Sequence, residues 1–267
     1  MFATLSIKKS PETFKEYIKE IFSSKAPQQE MIRLKNGSFF FNITVSAKKG
    51  RINWKDLELS LGNYYDKILL PDFLTLEANS CIKKPALKKI IPKAVFNTAL
   101  KLFSVSETSF DEIAVIDKNA ELKNEIIRLV PFCKTLCVVT DKPSAFFEIS
   151  DKILDEYGAA ILISDTPVLK GEKCFVIAPF GVYSYNLPNT VTVITGHTIK
   201  NIPQPKHLQC ATLNLEDDYL KFLPKDIPLN DFASALYEFA AVKDENNTRY
   251  KTIINCSREL TLEQIVL

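Results

Sequence analysis

The chain has 267 residues, 46% of them hydrophobic and 25% charged, with only 7 glycines. That composition belongs to a packed globular protein and excludes disordered and fibrous classes. A formal net charge of +2 hides an asymmetry: residues 1–110 carry 18 Lys and Arg against 10 Asp and Glu, or +8, whereas residues 111–267 carry 16 against 22, or −6. No apolar run approaches the twenty residues of a membrane span, and MFATLSIKKSPETFKEYIKEIF interrupts its apolar residues with charges too often for a signal-peptide core. The six cysteines, Cys81, Cys133, Cys137, Cys174, Cys210 and Cys256, are scattered and several lie in apolar runs, so they read as reduced core thiols of a cytoplasmic protein. Richness in Lys, Ile, Asn and Phe fits an AT-rich bacterial genome.

In chain order, Ser10-Pro11-Glu12 is a helix-start signal, and Phe14, Ile18, Ile21 and Phe22 follow at helical spacing, which predicts an amphipathic helix over 11–22. EMIRLK and SFFFNITVS flank Asn36-Gly37, the signature of a β-hairpin closed by a type I′ turn. WKDLELSLG reads as a short helix from Trp54 that Gly62 terminates, and KILLP as a short apolar strand or extended run. From Ile82 to Phe103 the chain is lysine-rich, and Pro92 is expected to delay the helix so that it spans 93–103. Its lysines read as a solvated face, with no nucleic-acid motif around them.

After residue 110 short apolar runs alternate with amphipathic stretches. EIAVI (112–116), TLCVV (135–139), AAILI (159–163), KCFVIA (173–178) and TVTVI (190–194) are apolar on both faces, as strands of a covered parallel sheet are. ELKNEIIRLV and AFFEISDKILDEYG are expected to be crossover helices between the first three. Asp117, Asp141 and Asp165 stand at the strand ends at intervals of 24 residues. Beyond them, TGHTIKNIPQPKHLQCATLNLEDDYLKFLPKDIPL is expected to wander over the surface, DFASALYEFAAV to be a helix and YKTIINC to add a strand. The final TLEQIVL reads as a tail or a helix turn.

The fold class that follows is α/β: a Rossmann-like, mostly parallel sheet in the C-terminal part (107–267) and a smaller N-terminal α/β domain with the hairpin (1–106). Residues 111–200 resemble the Rossmann-like domain of NAD(P)-dependent dehydrogenases, including the shikimate dehydrogenase type. The resemblance implies an acid holding the adenosine ribose at the end of the second strand, where Asp141 stands. It also implies a G-x-G-x-x-G loop after the first strand, which exposes amides to a pyrophosphate. This chain has Asp117-Lys118-Asn119-Ala120-Glu121-Leu122 there, with no glycine and two carboxylates. Asp117 is expected to repel phosphates and to cap the following helix.

Ligands of such sheets sit beyond the carboxyl ends of the strands. That places Asp117, Thr140, Asp141, Asp165, Thr166, Gly181 and His197 around a small-molecule site facing the N-terminal domain, for a nucleotide or metabolite, without a cofactor being specified. The aspartates read as caps ahead of metal ligands. His197 reads as a loop histidine, and His207-x-x-Cys210 with Cys133-x-x-x-Cys137 has only loose zinc spacing. Two other functions share the fold: a dehydrogenase or transferase with an altered phosphate loop, and a non-catalytic regulatory or interaction protein. No membrane and no nucleic-acid partner is expected, and oligomeric state is not addressed by the sequence.

Overall fold

The computed structural model describes residues 1–8, 27–46, 52–64, 66–77, 80–87, 89–182, 185, 187–188, 190–196, 207–242, 248–255, 258–265 and 267. The helix expected over 11–22 lies outside them. The chain forms two compact units, Met1–Leu87 with Leu215–Lys243, and Lys88–Asn214 with Asp244–Leu267. This division does not coincide with a single cut at residue 106, because the 91–106 helix belongs to the second unit and residues 215–243 to the first.

The first unit holds a four-stranded sheet of β1 (Ala3–Lys8), β2 (Gln28–Arg33), β3 (Phe39–Ser46) and β4 (Ile68–Leu69), in the order β2-β3-β1-β4. Strand β1, not expected from the sequence, pairs in parallel with both β3 and β4. The hairpin β2-β3 is antiparallel as expected, but its turn is not type I′. Leu34 and Ser38 close a three-residue loop, Gly37 N–H donates to the Leu34 carbonyl, and Gly37 has φ 80° while Asn36 does not share the positive φ. A type I turn followed by a left-handed glycine fits that geometry. Asn36 Oδ1 holds it by accepting from Ser38 N–H at 3.1 Å.

Helix α1 (Trp54–Leu61) starts at Asn53, whose side chain accepts from the Asp56 amide, and ends at Gly62 with φ 53°, as its sequence predicts. Its Trp54, Leu57 and Leu61 bury against Ala3, Leu5, Ile43 and Val45 on one sheet face. Phe2 and Phe40 stack at 5.0 Å, and Phe232 meets Phe40 edge-on at 5.5 Å. Phe232 comes from α5 (Leu229–Phe239), a helix expected from its spacing, which follows the single turn α4 (Asp217–Leu220). A segment from late in the chain thus completes the core begun by its first residues.

The second unit is built on an eight-stranded sheet. Its strands are β5 (Phe110–Ile116), β6 (Cys133–Val139), β7 (Ile161–Ser164), β8 (Cys174–Ala178), β9 (Thr192–Thr195), β10 (His207–Leu213), β11 (Tyr250–Asn255) and β12 (Arg258–Thr261). The order is β12-β11-β10-β9-β8-β5-β6-β7. From β10 to β7 every pairing is parallel, and β11 and β12 are antiparallel additions. In order of appearance the six parallel strands run 3-2-1-4-5-6, the doubly wound Rossmann order with its switch point between β5 and β8. The fold is Rossmann-like α/β, with the five apolar runs of the sequence as five of these strands.

Two expectations for this sheet are corrected. HLQCATL does not wander over the surface; it is β10, whose buried Leu208, Cys210 and Leu213 point inward between more polar neighbours. ELKNEIIRLV forms no α-helix: turns lead into a 3₁₀ segment, Ile126–Phe132, containing Pro131. Proline lacks the N–H and clashes with the carbonyl four residues back, so an α-helix ending there loses its last turn. The second crossover is the expected helix, α3 (Phe147–Tyr157), which ends at Gly158 with φ 62°.

The longest helix among the described residues, α2 (Ile91–Ser106), spans more than the expected 93–103, because Pro92 sits in its first turn, where no N–H is required. Its lysines, Lys93 and Lys101, are half-exposed, while 11 of its 16 residues are buried. Phe103 packs edge-on against Phe175 of β8 at 4.8 Å and against Phe110 of β5 at 5.0 Å. Among polar residues on α2, Asn97 is 3% exposed, donates to the Thr248 carbonyl at 2.9 Å and accepts from Arg128 Nη1 at 3.0 Å.

Truncating Phe232 should remove the edge-on partner of Phe40 and leave a cavity in the first unit. Phe232→Ala is expected to cost about 3–5 kcal/mol, read as a lower urea midpoint with an unchanged slope. A loss below about 1 kcal/mol would contradict the role given to α5.

Candidate functional site

The turn after β5 is organised by Asp117, which is 6% exposed. Its two carboxylate oxygens accept from Glu121 N–H at 2.9 Å and Leu122 N–H at 2.7 Å, and its carbonyl accepts from Ala120 N–H at 3.2 Å. Ala120 takes φ 60°, a left-handed conformation that glycine would adopt more cheaply. The carboxylate therefore caps the turn, as aspartates do at helix starts. Burial pushes its pKa above the usual carboxylate value, with the Leu122 and Glu121 amides opposing the rise.

Strand register explains where the other aspartates fall. Ile116 pairs with Val139, and Val139 with Ser164, so the two strand-to-strand offsets are 23 and 25 and the interval of 24 only averages them. Thr140 and Asp165 are level with Asp117, and Asp141 lies one residue beyond. Buried Thr140 accepts from Lys142 N–H at 3.1 Å and so shapes the turn after β6. Asp141 is exposed, with Lys118 Nζ at 4.0 Å. Asp165 and Thr166 are exposed at the end of β7. His197 lies outside the described residues.

A cavity of about 350 Å³ opens between the ends of β5 and β8. It is lined by Ile116, Asp117, Lys118 and Asn119 from the first strand end, Pro179, Phe180 and Gly181 from the second, Pro92 from the start of α2, and Tyr185. Of the seven sequence candidates it gathers Asp117 and Gly181. Thr140, Asp141, Asp165 and Thr166 stand at neighbouring strand ends, outside its lining. Tyr185 links the two regions: its hydroxyl donates to the Asp165 carbonyl at 3.3 Å, and Lys118 Nζ lies 5.8 Å from its ring centroid. Tyr185 and Pro92 were not expected from the sequence, the first because nothing in its loop marks it, the second because Pro92 read only as a helix breaker.

Gly181 turns the chain out of β8 with φ 99°, and its N–H donates to the Ala178 carbonyl at 3.0 Å. Gly196 does similar work after β9: a Cβ there would stand 2.5 Å from Ile91 Cγ2 and 3.0 Å from the Pro179 carbonyl. Glycine thus lets β9 end against the beginning of α2 and the Pro179 turn, two walls of the cavity.

Thiol chemistry is disfavoured at the three cysteines where burial acts most strongly. It pushes Cys133 up to about 12, pushes Cys174 to about 11 with help from the Glu112 carboxylate, and raises Cys210 further. A thiol raised in this way is protonated at neutral pH and is a poor nucleophile. Among the described residues no three His, Cys, Asp or Glu side chains are grouped to hold a metal ion, and no helix is long and apolar enough to cross a membrane. His207 is half-buried, accordingly less basic than usual, and lies 2.9 Å from Thr195 Oγ1.

Two outcomes are expected of this geometry. Because the folded pKa of Asp117 lies above the ordinary 3.8, the stability it contributes is full below that value and is lost as pH rises through the raised one. Wild-type stability measured against Asp117→Asn in urea should therefore fall as pH rises above 3.8; a difference independent of pH would refute the burial. Gly196→Ala should overpack the start of α2 and cost about 1–3 kcal/mol, seen as a lower melting temperature.

No protein-family model matches the chain, and no curated protein does. Among solved structures, the chain is similar to L-tryptophan dehydrogenase from Nostoc punctiforme, with 12% identity, 91% of this chain and 75% of that one covered, and a TM-score of 0.31. A chorismate mutase/shikimate 5-dehydrogenase fusion protein from Clostridium acetobutylicum gives 14% identity, coverage of 93% and 83%, and a TM-score of 0.25. HcgC from Methanococcus maripaludis, crystallised with SAH and pyridinol, gives 12% identity over 55% of this chain and 52% of that one, with a TM-score of 0.25; the alignment thus spans about half of that protein.

Proposed function

We propose that this protein binds a small molecule, a nucleoside-like compound or another metabolite of similar size, in the cavity between the ends of β5 and β8. The observation that carries the reading is the coincidence of that cavity with the topological switch point of a doubly wound sheet, where such folds leave a crevice at the carboxyl edge. Its volume is at the small end of the range for ligand pockets. Phe180 and Tyr185 supply aromatic surface, Pro92, Pro179 and Ile116 apolar surface, and Asp117, Lys118 and Asn119 the few polar groups that orient a ligand. Thr140, Asp141, Asp165 and Thr166 stay in the proposal as neighbours of the site for a ligand that extends past the β6 and β7 ends, and His197 as a candidate from the sequence alone. The free thiols Cys133, Cys137, Cys174 and Cys210 suit a reducing compartment, which supports a cytoplasmic location.

The test is a thermal-shift panel of nucleosides, nucleotides, nicotinamide cofactors and amino acids against wild type and Phe180→Ala. A ligand at a hundred times its dissociation constant adds about 2.7 kcal/mol of stability, which raises the melting temperature of a domain of this size by several degrees. The expected result is a shift in the wild type that Phe180→Ala removes. A panel without any shift would favour a non-catalytic interaction protein that kept the fold.

A further inference from the structure

The amides that open the turn after the first strand of a doubly wound sheet ordinarily receive the pyrophosphate of a dinucleotide. In this chain they are spent. Glu121 and Leu122 donate to the two oxygens of Asp117 at 2.9 and 2.7 Å, and Ala120 donates to the same residue's carbonyl at 3.2 Å. Three successive N–H groups thus close on one residue that is 6% exposed and lines the cavity. The protein has put its own anion where the ligand's would go.

A diphosphate entering here would find these donors occupied and a carboxylate of its own sign beside it, in surroundings where water screens weakly. The same carboxylate favours the opposite chemistry. An ionised carboxyl group has about four acceptor sites, and the two amides fill two of them. The aromatic wall agrees: Lys118 Nζ lies over the Tyr185 ring at 5.8 Å, so that ring already keeps a cation as company. The nearby lysines do not rebuild a phosphate site, since Lys118 is shared with Asp141 and Lys142 Nζ donates to the Asn119 carbonyl at 3.4 Å.

We propose that Asp117 sets the ligand class of this cavity: it excludes compounds anchored by a diphosphate and accepts those that present an N–H donor or a cationic nitrogen to its carboxylate. The inference rests on the cavity being the binding site, and it makes Asp117 a specificity-determining residue. It also accounts for a glycine-free loop in a sheet of dinucleotide-binding order, since the backbone here closes on a side chain and not on a ligand.

The experiment titrates inorganic pyrophosphate, ADP and adenosine calorimetrically into wild type, Asp117→Ser and Asp117→Gly. Serine retains a short capping oxygen and glycine frees both amides, so the two variants bracket the loss of the cap. Wild type should bind ADP no more tightly than adenosine and should not bind pyrophosphate. Each variant that melts cooperatively should gain pyrophosphate affinity by about tenfold or more, an energy comparable to one charge-assisted hydrogen bond, with glycine above serine. Wild-type binding of pyrophosphate, or ADP bound tenfold more tightly than adenosine, overturns the proposal, as do folded variants that gain nothing. Failure of the cavity as a site is read separately, from the Phe180→Ala comparison, because the pyrophosphate gain reports on the turn's amides alone.

Discussion

The second unit depends on one buried helix. Helix α2 is covered on most of its circumference, which a helix tolerates only when it is apolar nearly all round, and its sequence meets that condition from Ile91 to Phe103. Phe103 anchors it in a cluster with Phe110, Phe132 and Phe175. Thr98 and Asn97 tie it to the chain around β11: Tyr250 N–H donates to Thr98 Oγ1 at 2.8 Å, and Asn97 donates to the Thr248 carbonyl. With the helix held along its length, its first turn has one place to be, and Pro92 becomes a wall of the cavity.

The missing first crossover helix follows from the same packing. Where an α-helix would lie, a 3₁₀ segment buries Ile126 and Leu129, and Arg128 bridges Glu125 at 2.8 Å and Asn97 at 3.0 Å. A buried asparagine without partners would cost the full desolvation of its amide; Arg128 and the Thr248 carbonyl remove that cost. The shorter connection also leaves Asp117 to close the turn before it, so the cap and the absent helix are two aspects of one local solution.

Much of this fold was legible in the residues. Apolar runs such as CFVIA signal strands covered on both sides, and the 3-2-1-4-5-6 order is the usual outcome when such strands alternate with connections. What stayed hidden had physical reasons. Strand β10 alternates buried and half-exposed residues with Thr, Gln and His among them, a pattern that resembles a polar loop. Strand β1 carries its signal in only six residues, Ala3, Leu5 and Ile7 alternating with Thr4, Ser6 and Lys8, and is too short to stand out. Of the cavity's lining, Asp117 and Gly181 were identifiable because strand ends announce themselves. Tyr185 was not, because a tyrosine in a loop is defined by what it packs against.

The discontinuous first unit has a consequence for biosynthesis. Its sheet is made from residues 3–69, yet the helix bearing Phe232 belongs to Leu215–Lys243, which is translated only after the whole of Lys88–Asn214. At about 5–20 residues per second, translation holds that interval open for on the order of ten seconds. During it the Phe2–Phe40 stack lacks its native cover, an aromatic surface of the kind that invites misassembly. The nascent first unit is thus most exposed to aggregation while Lys88–Asn214 is being made, and a chaperone that shields aromatic surfaces would act on it in that window.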